Sequence, residues 1–418
     1  MAVETVFLLP GQGGYTPGNF AGDDSPDVGE VLDAADRVAA EFGREGVSHL
    51  MTHADAPSAA DLTRSDSFAL QLAVFTSAVA GFRIAERQGS PDVVVGHSMG
   101  EIAALTVAGA FTLTDGARLV CHRSEALLAH CPSGGGMVAL ELPADRAAHL
   151  VGAVADRGLA VAVSNAPRQT VVSGPDEAIG TIARLAGAMG VRATRLNAPF
   201  PFHSPLLALA AHAFGEAVSG IRQHPLRRAV YSPVAGGYVH DDSDLRALLA
   251  RQLTAPVRFM AAIRQLHADG AQHFVECGRA GLSGLVGRSV PDVSTAHTVR
   301  ARGTDGAPAP ARDETVPAEP ARAAGVTEAA TPAPVGVGVL AELRELYAST
   351  LGYPVEVITG DADLEADLGI DSLKRAEMLG KVSAQFGLGE AALGGRFLAQ
   401  PTLADLADLI ATTQTSTR

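Results

Sequence analysis

The chain has 418 residues, 47% of them hydrophobic, and 46 acidic against 32 basic side chains give it a formal charge of −14. Such a length exceeds one ordinary core, so two or three domains are expected of a globular protein. The charge speaks against nucleic acid and anionic membranes as partners. Three widely spaced cysteines (Cys121, Cys131, Cys277) make neither a disulfide framework nor a metal knuckle, which fits a reducing, cytoplasmic setting.

The N-terminal MAVETVFLLPGQGG has no basic segment or cleavage site of a secretory signal and reads as a strand running into a glycine turn. No uninterrupted apolar run approaches the roughly 18 residues of a membrane span. The run 92–96, DVVVG, has the pattern of a strand covered on both faces, and it feeds a helix expected to start near Ser98. Strand and helix alternating in this way predict a parallel sheet with covering helices. Residues 136–197 break the pattern: strand, helix, two strands, helix, strand, the βαββαβ order of a ferredoxin-like unit inserted into the larger domain. From 301 to 336 the chain is rich in Ala, Pro, Gly and Glu with almost no large apolar residue, and reads as a flexible linker, the alternative being a long ordered surface loop. Residues 337–418 carry helical patterns only and 12 acidic against 6 basic residues, a small all-α four-helix bundle. Domains are therefore expected at 1–300 and 337–418, joined by 301–336.

Gly96-His97-Ser98-Met99-Gly100 is a G-x-S-x-G motif between a buried strand and a helix. In that context a sharp turn lifts the serine oxygen out of the sheet, toward the positive end of the helix, and glycine avoids collision in so tight a bend. Ser98 is thus a candidate nucleophile, or else an ordinary helix cap. A serine needs a base. Of 13 histidines, His203 stands out in the rigid apolar segment Ala198-Pro199-Phe200-Pro201-Phe202-His203-Ser204-Pro205.

The set Gly11-Gln12-Gly13, Gly96-His97-Ser98-Met99-Gly100-Glu101 and Phe202-His203-Ser204 resembles the malonyl-CoA:carrier-protein acyltransferases of fatty acid and polyketide synthesis. Asn165-Ala166-Pro167, Val171-Val172-Ser173-Gly174, Gln252-Leu253 and Pro256-Val257-Arg258-Phe259 extend the likeness over about residues 4–298. The resemblance implies Ser98 as nucleophile, His203 as general base, and the backbone N–H groups of Gln12 and Met99 as oxyanion hole. It further implies that the main-chain carbonyl of Gln252 orients His203, and that Arg123, 25 positions after Ser98, binds a substrate carboxylate. Phe202, His97 and Asn165 complete the implied substrate site. Malonyl members usually carry His-Ala-Phe-His before and through the base, methylmalonyl members Tyr-Ala-Ser-His. Here Phe200-Pro201-Phe202-His203 agrees with the malonyl pattern at Phe202 and departs from both at Phe200 and Pro201, so a substituted malonyl unit stays open. Gly278-Arg279 also departs from the family's Gly-Pro.

Asp367-Leu368-Gly369-Ile370-Asp371-Ser372-Leu373 resembles the attachment motif of acyl carrier domains, which implies 4′-phosphopantetheine on Ser372 and acyl-CoA as the donor. Lys374-Arg375-Ala376-Glu377 resembles carriers of iterative synthases of the polyunsaturated-fatty-acid and enediyne types. Partners implied are malonyl-CoA or a related acyl-CoA, a phosphopantetheinyl transferase, and a ketosynthase or other polyketide synthase modules. Two other readings, a serine esterase or thioesterase and an idle docking module, compete. The esterase requires an acidic third member between Ser98 and His203; the idle module fits poorly with intact Ser98, His203 and Gln12.

Overall fold

The computed structural model describes residues 3–298 except 133, 279 and 280, and then 336–351, 360, 364, 372–386, 388 and 402–416. The chain divides into two units, Met1–Gly306 and Ala307–Arg418.

In the first unit, chain order runs β1 (Thr5–Leu9), α1 (Pro26–Glu41), α2 (Ser48–Thr52), α3 (Ala59–Ser65), α4 (Ser67–Glu86), β2 (Val93–Gly96), α5 (Gly100–Val107) and α6 (Leu113–His130). There follow β3 (Gly135–Leu140), α7 (Ala144–Val154), β4 (Ala160–Ala166), β5 (Gln169–Pro175), α8 (Asp176–Ala188) and β6 (Ala193–Arg195). The unit closes with α9 (Ala208–Ala217), β7 (Ala229–Ser232), β8 (Gly237–Val239), α10 (Leu245–Gln252), α11 (Phe259–Ala268), β9 (His273–Glu276), α12 (Leu282–Ser289) and β10 (Ser294–His297).

All four residues of β2 and four of the five in β1 are buried, because helices cover both faces of the sheet. The sheet order is β10-β9-β1-β2-β7-β8. Every pairing is parallel except that of β8, which returns antiparallel on β7. Register is set by apolar partners across β1 and β2: Val6 faces Val93 and Leu8 faces Val95. α4 is a core helix. Asp66 caps it through the Ala69 N–H, and although its length and composition would suffice to cross a membrane, 83% of that apolar window is buried inside the protein.

The second sheet has the order β4-β5-β3-β6 and is antiparallel throughout, the arrangement of a ferredoxin-like βαββαβ unit. With α7 and α8 it encloses its own core, including Val138, Leu140, Val172, Ile179 and Ile182. Its strands β4 and β5 also lend Ala162, Val163 and Val171 to the main core, and Val163 bridges to Val257, so the insert is fastened to the larger sheet's domain.

The second unit contains α13 (Gly336–Leu351), α14 (Ser372–Phe386) and α15 (Leu403–Ser416) around a core of Leu343, Tyr347, Met378, Val382, Leu406 and Ile410. Thr402 caps α15 by accepting the Asp405 N–H at 3.2 Å. A fourth helix, the linker sequence up to residue 335, Arg279 and the motif residues Asp367–Asp371 lie outside the described residues.

Candidate active site

β1 and β2 lie side by side and end at the same edge of the sheet, where their following turns meet. At Gly96 an added Cβ would fall 2.2 Å from the Glu101 nitrogen; at Gly100 it would fall 2.1 Å from the Leu9 carbonyl oxygen. Both glycines are thus required by close backbone approach. Between them Ser98 takes φ 54°, the left-handed conformation of a nucleophile elbow, which costs a side-chain-bearing residue about 1–3 kcal/mol. This is why α5 begins at Gly100 rather than near Ser98: a left-handed residue cannot join the helix, and Met99 takes the N-cap position. Ser98 is therefore an elbow residue and not a helix cap. Gln12 opens a 3-10 turn immediately after β1. The backbone N–H groups of Gln12 and Met99 have no acceptor among the described residues.

His203 is 1% exposed and also left-handed, φ 60°. Its Nε2 stands 2.7 Å from Ser98 Oγ. Its Nδ1 lies 2.8 Å from the Gln252 carbonyl and 3.0 Å from that of Ala255. Carbonyls only accept, so Nδ1 carries the proton and Nε2 is left to accept from Ser98. The backbone N–H of His203 donates to the Leu253 carbonyl at 2.9 Å. Burial, reinforced by the nearby charge of Arg123, lowers its pKa from the ordinary 6.5 to about 3, which keeps the imidazole neutral.

Arg123 projects from α6 into the interior and is 1% exposed. Nη1 donates to Gln71 Oε1, and the guanidinium lies 5.0 Å over the ring of Phe202. Its Nε has no partner among the described residues, and burial lowers its pKa to about 9. Phe202 is itself held edge-on by Phe200 at 5.7 Å. Gln12, Gln71, Ser98, Met99, Arg123 and Phe202 share a cavity of about 20 Å³, room for one water. A larger cavity of about 500 Å³, beside Ser90, Val107 and Arg228, contains none of them.

His97 and Asn165 meet each other beside the elbow rather than in that cavity: Nε2 of His97 lies 2.7 Å from Asn165 Oδ1 and its ring packs edge-on against Phe259. Burial holds His97 below the usual histidine range. Ser372 is the first residue of α14, in the second unit.

Three contacts have no counterpart in the sequence reading. Gln71 is the hydrogen-bond partner of Arg123, and its signal was a lone amide in an otherwise apolar stretch of α4. The Ala255 carbonyl is a second acceptor for His203 and carries no side-chain signal. Glu101, 1% exposed, accepts from the Ser232 hydroxyl, and burial lifts its pKa from 4.5 to about 7.

The geometry has the parts of an acyl-transfer site: a raised hydroxyl, a neutral base, two backbone donors and a buried guanidinium. A family model described as "Acyl transferase domain" matches residues 6–279, and a "Phosphopantetheine attachment site" model matches 341–410. The phenolphthiocerol synthesis polyketide synthase type I of Mycobacterium marinum is 34% identical over 296 residues, 69% of this chain and 14% of that protein. The mycoketide-CoA synthase of Mycobacterium tuberculosis is 34% identical over 302 residues, 70% of this chain and 7% of that protein. The chain thus spans only a small part of these relatives. Among solved structures, the acyl-carrier-protein S-malonyltransferase of Burkholderia pseudomallei superposes with a TM-score of 0.65 at 30% identity, covering 71% of this chain and 97% of that one. The acyltransferase domain from module 8 of the salinomycin polyketide synthase gives 0.64 at 32% identity, covering 72% of each.

Proposed function

Because the chain belongs to the acyl transferase domain family and carries a phosphopantetheine-attachment domain, we propose that it moves a malonyl group from coenzyme A onto Ser98, and from there to a carrier-borne thiol. The observation that carries the malonyl assignment is Arg123, a buried guanidinium with an unpaired Nε in the same cavity as Ser98. A carboxylate there gains a bidentate partner, whereas an acetyl group leaves the charge desolvated and without a counter-ion. Phe202, stacked on that guanidinium, supports an unbranched malonyl over a substituted one by occupying the space beside it.

In the first half-reaction Ser98 Oγ attacks the thioester carbonyl while His203 Nε2 takes its proton. The resulting oxyanion receives the N–H groups of Gln12 and Met99. Collapse breaks the carbon–sulfur bond, and the imidazolium returns its proton to the departing coenzyme A thiolate. In the second half-reaction His203 takes the proton of the incoming carrier thiol, whose sulfur attacks the Ser98 ester, and gives it back to Ser98 Oγ. The Gln252 and Ala255 carbonyls hold the imidazole in the tautomer both halves need, so the site operates as a dyad and no carboxylate is required.

The 4′-phosphopantetheine of the second unit supplies the terminal thiol acceptor when attached. We assign its attachment to Ser372, the residue at which the chain enters α14, in keeping with the position such motifs give their serine. A phosphopantetheinyl transferase must install it, and a ketosynthase supplied by other polyketide synthase modules would consume the loaded unit. Intact-mass analysis with malonyl-, methylmalonyl- and acetyl-CoA offered singly tests the reading. Malonylation lost in Ser98→Ala is expected; acetylation as fast as malonylation in the wild type would overturn the carboxylate assignment.

A further inference from the structure

Gln252 ends α10 and is fully buried. Its main-chain carbonyl holds His203 Nδ1, but its side chain reaches the other member of the dyad: Nε2 donates to the Ser98 carbonyl oxygen at 2.5 Å. One residue therefore grips both the base and the nucleophile. The grip falls on two residues that both adopt left-handed backbone, Ser98 at φ 54° and His203 at φ 60°. Besides the Gln252 amide, the Ser98 carbonyl accepts from the Glu101 N–H at 3.0 Å, the first-turn bond of α5. That bond holds the elbow to its own helix, while the amide ties it across the fold to α10. Gln252 Oε1 is buried with no partner among the described residues, so the polar side chain is kept at a desolvation cost.

We infer that the Gln252 side-chain amide is a positioning element of the acyl-transfer reaction, holding Ser98 Oγ in register with His203 Nε2 independently of the Gln252 main-chain carbonyl. The inference rests on the reading of Ser98 and His203 given above. A hydrogen bond that only supported the fold could be replaced by a well-packed apolar side chain at little cost to either nucleophile or base. A positioning bond cannot, because the 2.7 Å contact between Oγ and Nε2 depends on the rotation of the Ser98 peptide that the amide fixes.

The test uses the full chain with Gln252→Met, which keeps the length and the main-chain carbonyl but removes the donor, and Gln252→Glu, which places an acceptor against the Ser98 carbonyl. A fluorophosphonate probe labels the nucleophile without using Arg123 and so reports the Ser98–His203 poise alone. Labelling and malonyl transfer are each expected to slow roughly tenfold to a hundredfold, with the KM for malonyl-CoA unchanged within a factor of about two. The melting temperature of Gln252→Met should stay level or rise, since an unsatisfied buried oxygen is removed. Wild-type labelling rates in a folded Gln252→Met, or a loss expressed only in KM, would overturn the inference. If Gln252→Met is unfolded, Gln252→Glu decides by the same two rates. A Ser98→Ala control separates the outcomes: labelling that persists in Ser98→Ala defeats the nucleophile reading itself, whereas a silent Ser98→Ala beside a fast Gln252→Met defeats only the clamp.

Discussion

Replacing Arg123 with alanine should change which acyl group the enzyme accepts, and the structure gives the size of the change. Nη1 is engaged by Gln71 and the guanidinium face by Phe202, which leaves Nε unpaired in the cavity beside Ser98. A carboxylate bound along that open edge makes two charge-assisted hydrogen bonds, each about 1.5–3 kcal/mol. Their loss amounts to about 3–6 kcal/mol, or roughly two to four orders of magnitude in kcat/KM for malonyl transfer. Burial already draws the guanidinium down to about 9, so holding it charged in the empty site costs on the order of 5 kcal/mol, which a bound carboxylate offsets. Acetyl transfer should hold steady or rise in Arg123→Ala, because the same charge depresses the basicity of His203. Single-turnover acylation of Ser98, followed by intact mass with malonyl- and acetyl-CoA in parallel, reads both rates. Equal losses with the two donors would show that Arg123 only supports the fold and that the carboxylate is recognised elsewhere.

Gln71→Leu should reproduce a weaker form of the same phenotype, about tenfold in malonyl kcat/KM, by freeing the guanidinium to rotate; an unchanged malonyl-to-acetyl ratio would assign Gln71 to packing. His203 needs to be neutral to accept the Ser98 proton, and its pKa of about 3 keeps it so, hence acylation should show no histidine-like fall between pH 7 and 5. The same depressed value makes stability fall as pH drops below 6.5 toward 3, because the unfolded chain takes up a proton there that the folded one refuses; His203→Gln should flatten that slope in calorimetric melts. Glu101 is the opposite case. Its raised value leaves stability intact below 4.5 and removes it as pH climbs to about 7, so Glu101→Gln should gain about 3 kcal/mol on the wild type at pH 8 and little at pH 4. A gain of the same size at both pH values would rule out the titration.

How much of this was legible in the sequence follows from the range of each interaction. The G-x-S-x-G elbow, the parallel sheet and the βαββαβ insert were readable because tight turns and apolar periodicity are local. His203 stood out by its rigid segment, though its pairing with Ser98 spans 105 positions and its role as the base came only from the family resemblance. Gln71 and Arg123 lie 52 positions apart on two helices, and no periodicity couples an amide on one to a guanidinium on the other. The acceptors for His203 are main-chain carbonyls, which any residue type supplies, so their identity at 252 and 255 leaves almost no trace in side chains. Ser98 as a helix cap was excluded by backbone conformation alone, something a serine before a helix does not reveal.

The bonds that hold the dyad converge on one short stretch of chain. His203 N–H donates to the Leu253 carbonyl, His203 Nδ1 to those of Gln252 and Ala255, and the Gln252 amide to Ser98. Two left-handed residues, each costing about 1–3 kcal/mol, are thus braced from the C-terminal end of α10 rather than from their own segments. Leu248, Leu249 and Leu253 pack this end into the main core, so the brace is as rigid as the core beneath it. It follows that truncating Leu249 should lower kcat before it lowers the affinity for malonyl-CoA, whose proposed anchor, Arg123, lies on the separate helix α6. A Leu249→Ala variant, expected to lose about 2–5 kcal/mol of stability, decides the point when assayed well below its melting temperature. A rise in KM with kcat unchanged would mean that α10 braces the substrate cavity instead of the dyad.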